Sequence, residues 1–142
     1  MATEIEYIAE GVQMPDIDQE RVSEWIVRVV RERFQKSVGH LTYIFCDDEK
    51  ILEVNRQFLQ HDYYTDIITF DYSTRGRIGG DMYISLDTVL SNSEMLSKSY
   101  SEELHRVIIH GVLHLCGIND KGPGEREIME SHEDAALGMF KG

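Results

Sequence analysis

The sequence is poor in cysteine, proline, positive charge and long apolar runs. Its two cysteines, Cys46 and Cys116, stand apart in apolar surroundings with no Cys-x-x-Cys pair. Nothing calls for a disulfide, and both suit small core positions in a reduced compartment. There are only two prolines and no repeat or low-complexity stretch among the 142 residues, so one domain, 1–142, is expected. No segment approaches the ~20 consecutive apolar residues of a membrane span. The start, Met1 to Glu6, has neither the basic beginning nor the apolar centre of a secretory signal. A cytoplasmic protein with no membrane partner is the expectation. The shortage of positive charge is the sharpest absence: 14 Lys and Arg face 26 Asp and Glu, a net charge of -12. That argues against broad electrostatic binding of nucleic acid, whose affinity comes largely from Lys and Arg on phosphates. An RNA partner would need a local basic face. Arg28, Arg31, Arg33 and Lys36 on one helix, or Arg75 and Arg77 in a glycine-containing turn, are candidates; both groups also fit an ordinary solvated surface.

Periodicity supplies the frame. Glu4 to Ala9 alternates as a strand, and Val22, Trp25, Ile26, Val29, Val30 and Phe34 recur at helical spacing after Asp18. His40 to Cys46 is β-rich, and Asp47 or Asp48 can cap a helix carrying Ile51, Leu52, Val54 and Phe58. Thr65 to Tyr72 and Asp81 to Ser85 read as strands joined across a turn-rich connection, Ser73 to Gly80. Helices are expected at about 86–97, 99–116 and 124–137, the middle one started by Ser99 with Glu102 as a capping box. The order βαβαββ followed by helices predicts an α+β domain with a small mixed four-stranded sheet packed with helices.

The most informative segment is His110-Gly-Val-Leu-His114-Leu-Cys-Gly117-Ile-Asn-Asp120. Histidines four apart share one helix face, and a pair of neutral imidazoles there can grip a cation. Gly117 can take positive φ and end the helix, so the chain turns back and Asp120 can become a third ligand. Histidine pairs at this spacing also arise by chance, but the apolar flank, the glycine and the acid together point to metal. Three protein ligands leave a coordination position open, the mark of catalytic rather than structural zinc. The spacing is that of the zincin helix except at one position. Metalloproteases place their proton-accepting glutamate directly after the first histidine; here that residue is Gly111, which argues against peptide hydrolysis by the usual mechanism.

With glycine at that position, the segment resembles the YbeY family of bacterial endoribonucleases, whose pattern His-Gly-x-Leu-His-Leu-x-Gly the chain matches through Gly117. Leu52 to Asn55, Asp62, Thr65 to Phe70 and Gly80-Asp81 resemble the family's second signature, and Met129 and Glu133 fall where it has a methionine and a glutamate. The resemblance implies a metal-dependent endoribonuclease that cleaves single-stranded RNA. It implies a role in rRNA processing, notably 16S rRNA 3′ end maturation, and in ribosome quality control, with the ribosome or its small subunit as partner. By position it makes His110 and His114 ligands of one Zn2+ ion, or of another divalent metal. The expected catalyst is a metal-bound water positioned by His110, His114 and Asp120, with no protein general base assigned. Two departures stand out. Asp120 replaces the usual histidine, which lowers the charge of the site by one unit, and Phe58-Leu59 stands where the family has Tyr-Arg. Arg56 and His61 are the candidates to replace that arginine at the substrate, although each also reads as an ordinary exposed residue.

Other roles are expected for nearby residues. Glu103, two turns before His110, is a surface glutamate or an orienting partner of a ligand. His105 faces away from the pair, His40 and His132 are surface or strand-end residues, and Met129 lies in the core or beneath the metal. Rival readings are a zincin-like hydrolase of another substrate, a non-haem iron oxygenase built on the same two-His-one-carboxylate set, and a non-catalytic ribosome-associated metal-binding module.

Overall fold

The computed structural model describes residues 3–59 and 65–141. In chain order it contains β1 (Glu4–Ala9), α1 (Gln19–Phe34), β2 (Ser37–Cys46), α2 (Asp48–Leu59), β3 (Ile67–Asp71), β4 (Arg77–Ser85), α3 (Leu86–Met95), α4 (Tyr100–Leu115) and α5 (Glu125–Lys141). The four strands form one mixed sheet in the order β1-β2-β4-β3. β1 and β2 are parallel, as are β2 and β4, while β3 returns antiparallel to β4. This is the α+β arrangement that the element order implies.

The two helices that carry most of the core begin at side-chain caps. Asp18 caps α1 by accepting from the amide of Arg21 at 3.1 Å, and Ser99 caps α4 by accepting from the amide of Glu102 at 3.0 Å. The apolar stripe of α1 (Val22, Trp25, Ile26, Val29, Val30) and that of α4 (Leu104, Val107, Ile108, Val112) meet Leu41, Tyr43, Phe45, Met82 and Ile84 of the sheet in one buried cluster. A smaller cluster, Cys46, Ile51, Val54 and Ile68, seats α2 on the opposite sheet face. Two buried donors fix the docking. Tyr43 Oη donates to the Ile108 carbonyl at 2.9 Å, tying sheet to α4, and Trp25 Nε1 donates to the Ala136 carbonyl at 2.7 Å, tying α1 to α5. Leaving either group unpaired in the core would cost about 1–3 kcal/mol.

Gly111 has a structural role here. A Cβ built on it would lie 2.6 Å from Met82 Sδ and 2.9 Å from Ile67 Cδ1, so α4 reaches the sheet at this height only because a side chain is missing. The residue that removes the peptidase base is also the one that lets the histidine helix settle on β3 and β4.

The structure shortens the expected turn between the last two strands. β4 begins at Arg77, not Asp81, so Gly79 and Gly80 are strand residues. The ladder explains this: the Tyr72 amide donates to the Gly79 carbonyl at 2.9 Å, and Asp71 pairs with Gly80. Arg75 and Gly76, the latter at φ +77, make the turn between the paired Thr74 and Arg77. β2 also starts earlier than its apolar run, at Ser37. α5 runs past Leu137 because its last turn is used: the Phe140 ring lies 4.7 Å from that of Trp25, and Arg21 Nη2 donates to the Phe140 carbonyl at 2.8 Å. The basic face of α1 is partnered within the chain. Arg28 pairs with Glu32 at 3.0 Å, Arg33 lies 3.4 Å from His132 Nδ1, and Lys36 donates to the Cys116 carbonyl at 3.3 Å. Among the described residues, no helix is long and apolar enough to cross a membrane.

Candidate metal centre

α4 presents His110 and His114 one turn apart, their ring centroids 4.5 Å from each other. Beyond Leu115 the helix is closed by amides returning to it: Gly117 donates to the His114 carbonyl and Ile118 to the Leu113 carbonyl, both at 3.0 Å. Gly117, at φ +101, makes the reversal that a side chain would resist. The chain then brings Asp120 over the histidines. Its Oδ2 lies 3.3 Å from His110 Nε2 and 3.4 Å from His114 Nε2. The three ligand atoms all lie within 4.8 Å of one another. Tetrahedral ligands at ~2.0 to 2.1 Å from zinc are separated by about 3.3 to 3.4 Å. The donor set, two nitrogens and one carboxylate oxygen, therefore fits a zinc-sized divalent ion in chemistry, and both separations from Asp120 match that spacing.

The ring of His110 is held from behind. Its Nδ1 meets Glu133 Oε2 at 2.6 Å, and Glu133 is buried on α5. With Nδ1–H donating to that carboxylate, Nε2 is left with its lone pair aimed at the ligand cluster. Glu133 is fixed in turn: Arg106 Nη1 donates to its Oε1 at 2.8 Å, and Arg106 Nη2 donates to Asp134 Oδ1 at 2.7 Å. Glu133 lies on the apolar stripe of α5, four residues after Met129 and three before Ala136. An acid at a stripe position is the signal in the sequence that marks Glu133 as more than a surface charge.

These neighbours set the protonation of the site. Burial opposes a charge on His110, but the hydrogen bond and charge of Glu133, helped by Asp66 and Asp120, outweigh it and raise the imidazole above its ordinary value. His114 shifts the other way, lowered by burial and by the charge of His110 against a smaller pull from Asp120. Burial raises the carboxyl of Asp66, with His110 acting against it. Glu103 is buried, which corrects its expected surface position, and its Oε1 has no hydrogen-bond partner among the described residues. Burial and the charge of Asp66 raise its carboxyl.

The three ligand candidates open into a cleft of ≈ 410 Å³ whose other walls include Asn55, Leu59, Asp66, Thr69, Asp71 and Lys121. Leu59 thus faces the cleft, and α2 brings no cation there at that position. Arg56 lines a separate depression with Glu49, Leu52, Glu53 and Gln57. His61 and Asp62 lie outside the described residues. Asp66 belongs to the Thr65 to Phe70 block, which the sequence singled out without giving this residue a part. The other histidines are elsewhere. His105 is packed between Trp25 and Phe140 with Nδ1 at 2.6 Å from the Ser101 carbonyl, and His132 rests on Phe34. His40 sits with Glu4 and Glu6 on the exposed sheet face. Met129 is buried.

Comparison with known proteins follows the same lines. Residues 7–141 match the model of the family described as Endoribonuclease YbeY. A Bacteroides fragilis protein of that name is 63% identical over 96% of this chain and 98% of its own length. One from Phocaeicola vulgatus is 64% identical over 96% and 98%. The solution structure of a Thermotoga maritima protein superposes with a TM-score of 0.62 at 25% identity, covering 96% of this chain and 91% of that one.

Proposed function

Because the chain belongs to the endoribonuclease YbeY family, we propose that it hydrolyses phosphodiester bonds of single-stranded RNA at the centre formed by His110, His114 and Asp120. The enzyme is a nuclease of the hydrolase class, and its substrate is ribosomal RNA undergoing processing. The finer reading is maturation of the 16S rRNA 3′ end, quality control of ribosomes, association with the ribosome or its small subunit, and action in the cytoplasm by a single domain spanning 1–142.

The observation that carries this reading is the convergence of three ligand atoms at zinc-like spacing, with one imidazole oriented from behind by a buried carboxylate. His110, His114 and Asp120 would hold one Zn2+ ion. Such an ion supplies a Lewis acid for phosphoryl oxygens and lowers the pKa of water bound to it. The chain does the rest. Glu133 keeps the Nδ1 proton of His110 and so keeps Nε2 free as a donor atom. Asp66 lines the same cleft, and its charge helps raise the pKa of His110. Gly111 leaves no side chain to act as a peptidase base. The histidine helix is read as zincin-like in spacing while serving a different bond.

The test is cleavage of an end-labelled oligoribonucleotide, unpaired or in duplex, by protein whose metal content has been measured. The expected result is about one zinc per chain and cleavage of the unpaired strand, lost in His114→Ala that retains its circular dichroism spectrum. Wild-type cleavage by folded His114→Ala would overturn the catalytic reading. Stoichiometric iron with oxygen-dependent turnover would replace it by the oxygenase.

A further inference from the structure

We infer that Lys121 binds a phosphate of the RNA strand in the cleft, an inference that rests on the nuclease reading above. A phosphodiester chain entering this cleft meets the carboxylates of Asp66, Asp71 and Asp120 in a molecule of net charge -12. Like charge at such close quarters opposes binding. Among the described residues that line the cleft, Lys121 is the one Lys or Arg. It follows Asp120 directly in the chain, their Cα atoms about 3.8 Å apart, and it lines the same cleft as the three ligand candidates. On the α2 wall the corresponding position is apolar Leu59.

The surroundings leave Lys121 available. It is exposed and forms no ion pair with any described residue, in contrast to Arg28, Lys50, Arg106 and Arg126, each held by a carboxylate. The acids beside it in sequence are engaged elsewhere. Asp120 faces the two histidines, and Glu125 Oε1 accepts from the Gly122 amide at 2.7 Å. An exposed ammonium with three donors acts on phosphate as a point charge, tolerant of sequence and sensitive to salt. Contact of this kind is made in the ground state and retained in the transition state, so it shows in KM.

The experiment compares wild type, Lys121→Gln and Lys121→Arg on an unpaired oligoribonucleotide over a salt series, with zinc content measured for each. Expected for Lys121→Gln is a KM about tenfold higher at low salt, kcat within about twofold, unchanged zinc, and a log KM against log salt slope smaller by about 0.7. Lys121→Arg should restore KM and slope. An unchanged KM or slope in Lys121→Gln, with wild type active, overturns this inference and leaves the nuclease reading standing. Loss of zinc with a fall in kcat overturns it too, because Lys121 would then be acting through Asp120. A wild type that cleaves no RNA overturns both.

Discussion

Glu133 on α5 and His110 on α4, 23 residues apart in sequence, share a 2.6 Å hydrogen bond in which the carboxylate is buried and the imidazole half-buried. Carboxylates in this relation to a metal-binding imidazole fix its tautomer and raise its basicity. Glu133→Gln should therefore weaken zinc binding by about 10- to 100-fold with the fold intact. Competition against a chromophoric chelator measures this directly, and an affinity equal to wild type would remove Glu133 from the centre.

Protons and metal compete for the same imidazole nitrogens, which gives a pH dependence of known sign. The raised pKa of His110 means that the metal-free folded protein holds this proton more tightly than the unfolded chain does. Zinc affinity should fall on acidification, starting above the ordinary imidazole value of about 6.5. Glu133→Gln should move that onset to lower pH. Zinc titrations between pH 6 and 8.5 check both statements; an onset that Glu133→Gln leaves in place would contradict them.

The same shifts govern the stability of the metal-free protein. For His110 the folded state binds more protons between about 6.5 and its raised pKa, so this contribution is full below 6.5 and lost as pH rises through that window. His114, lowered, binds fewer protons when folded, so its contribution is lost as pH falls below about 6.5 toward its own pKa. The pair should give chelator-treated protein its greatest stability near pH 6.5. Urea melts across pH 5.5 to 8 test this, with His110→Gln expected to flatten the alkaline side.

Glu103 is a buried carboxylate with one oxygen unpartnered among the described residues. Its pKa is raised, so the unfolded chain loses this proton first, and the residue destabilises the protein increasingly as pH rises from about 4.3 through its folded pKa. Glu103→Met should stabilise by about 1–3 kcal/mol at pH 7 and by much less at pH 4. Equal effects at the two pH values would show that ionisation is not the cause.

Gly111→Ala places a methyl group against Met82 and Ile67. Overpacking of this kind costs about 1–3 kcal/mol, and thermal melts should show it. Gly111→Glu, which would write the peptidase motif into the chain, should fail to fold rather than gain a protease.

How far the sequence could be read follows from where the information lies. Periodicity and capping residues are local, so α1 and α4 were legible from their own stripes and from Asp18 and Ser99. The His110, His114 and Asp120 cluster was legible because helical spacing and one reversing glycine place all three within eleven residues. The start of β4 is not legible locally, because Gly79 and Gly80 have the composition of a turn while cross-strand pairing with Tyr72 and Asp71 decides their conformation. The partnership of Glu133 with His110 and the burial of Glu103 were hidden for the same reason: each depends on an element distant in the chain.

The tie from Trp25 to Ala136 holds α5 against α1, and α5 carries Glu133. A fragment ending before Glu125 would still contain all three ligand candidates and should bind metal poorly. With zinc held as proposed, occupancy gauges whether the carboxy-terminal helix is docked: zinc release under mild denaturant should run ahead of the loss of the sheet and report the undocking of a helix that contributes none of the three proposed ligands.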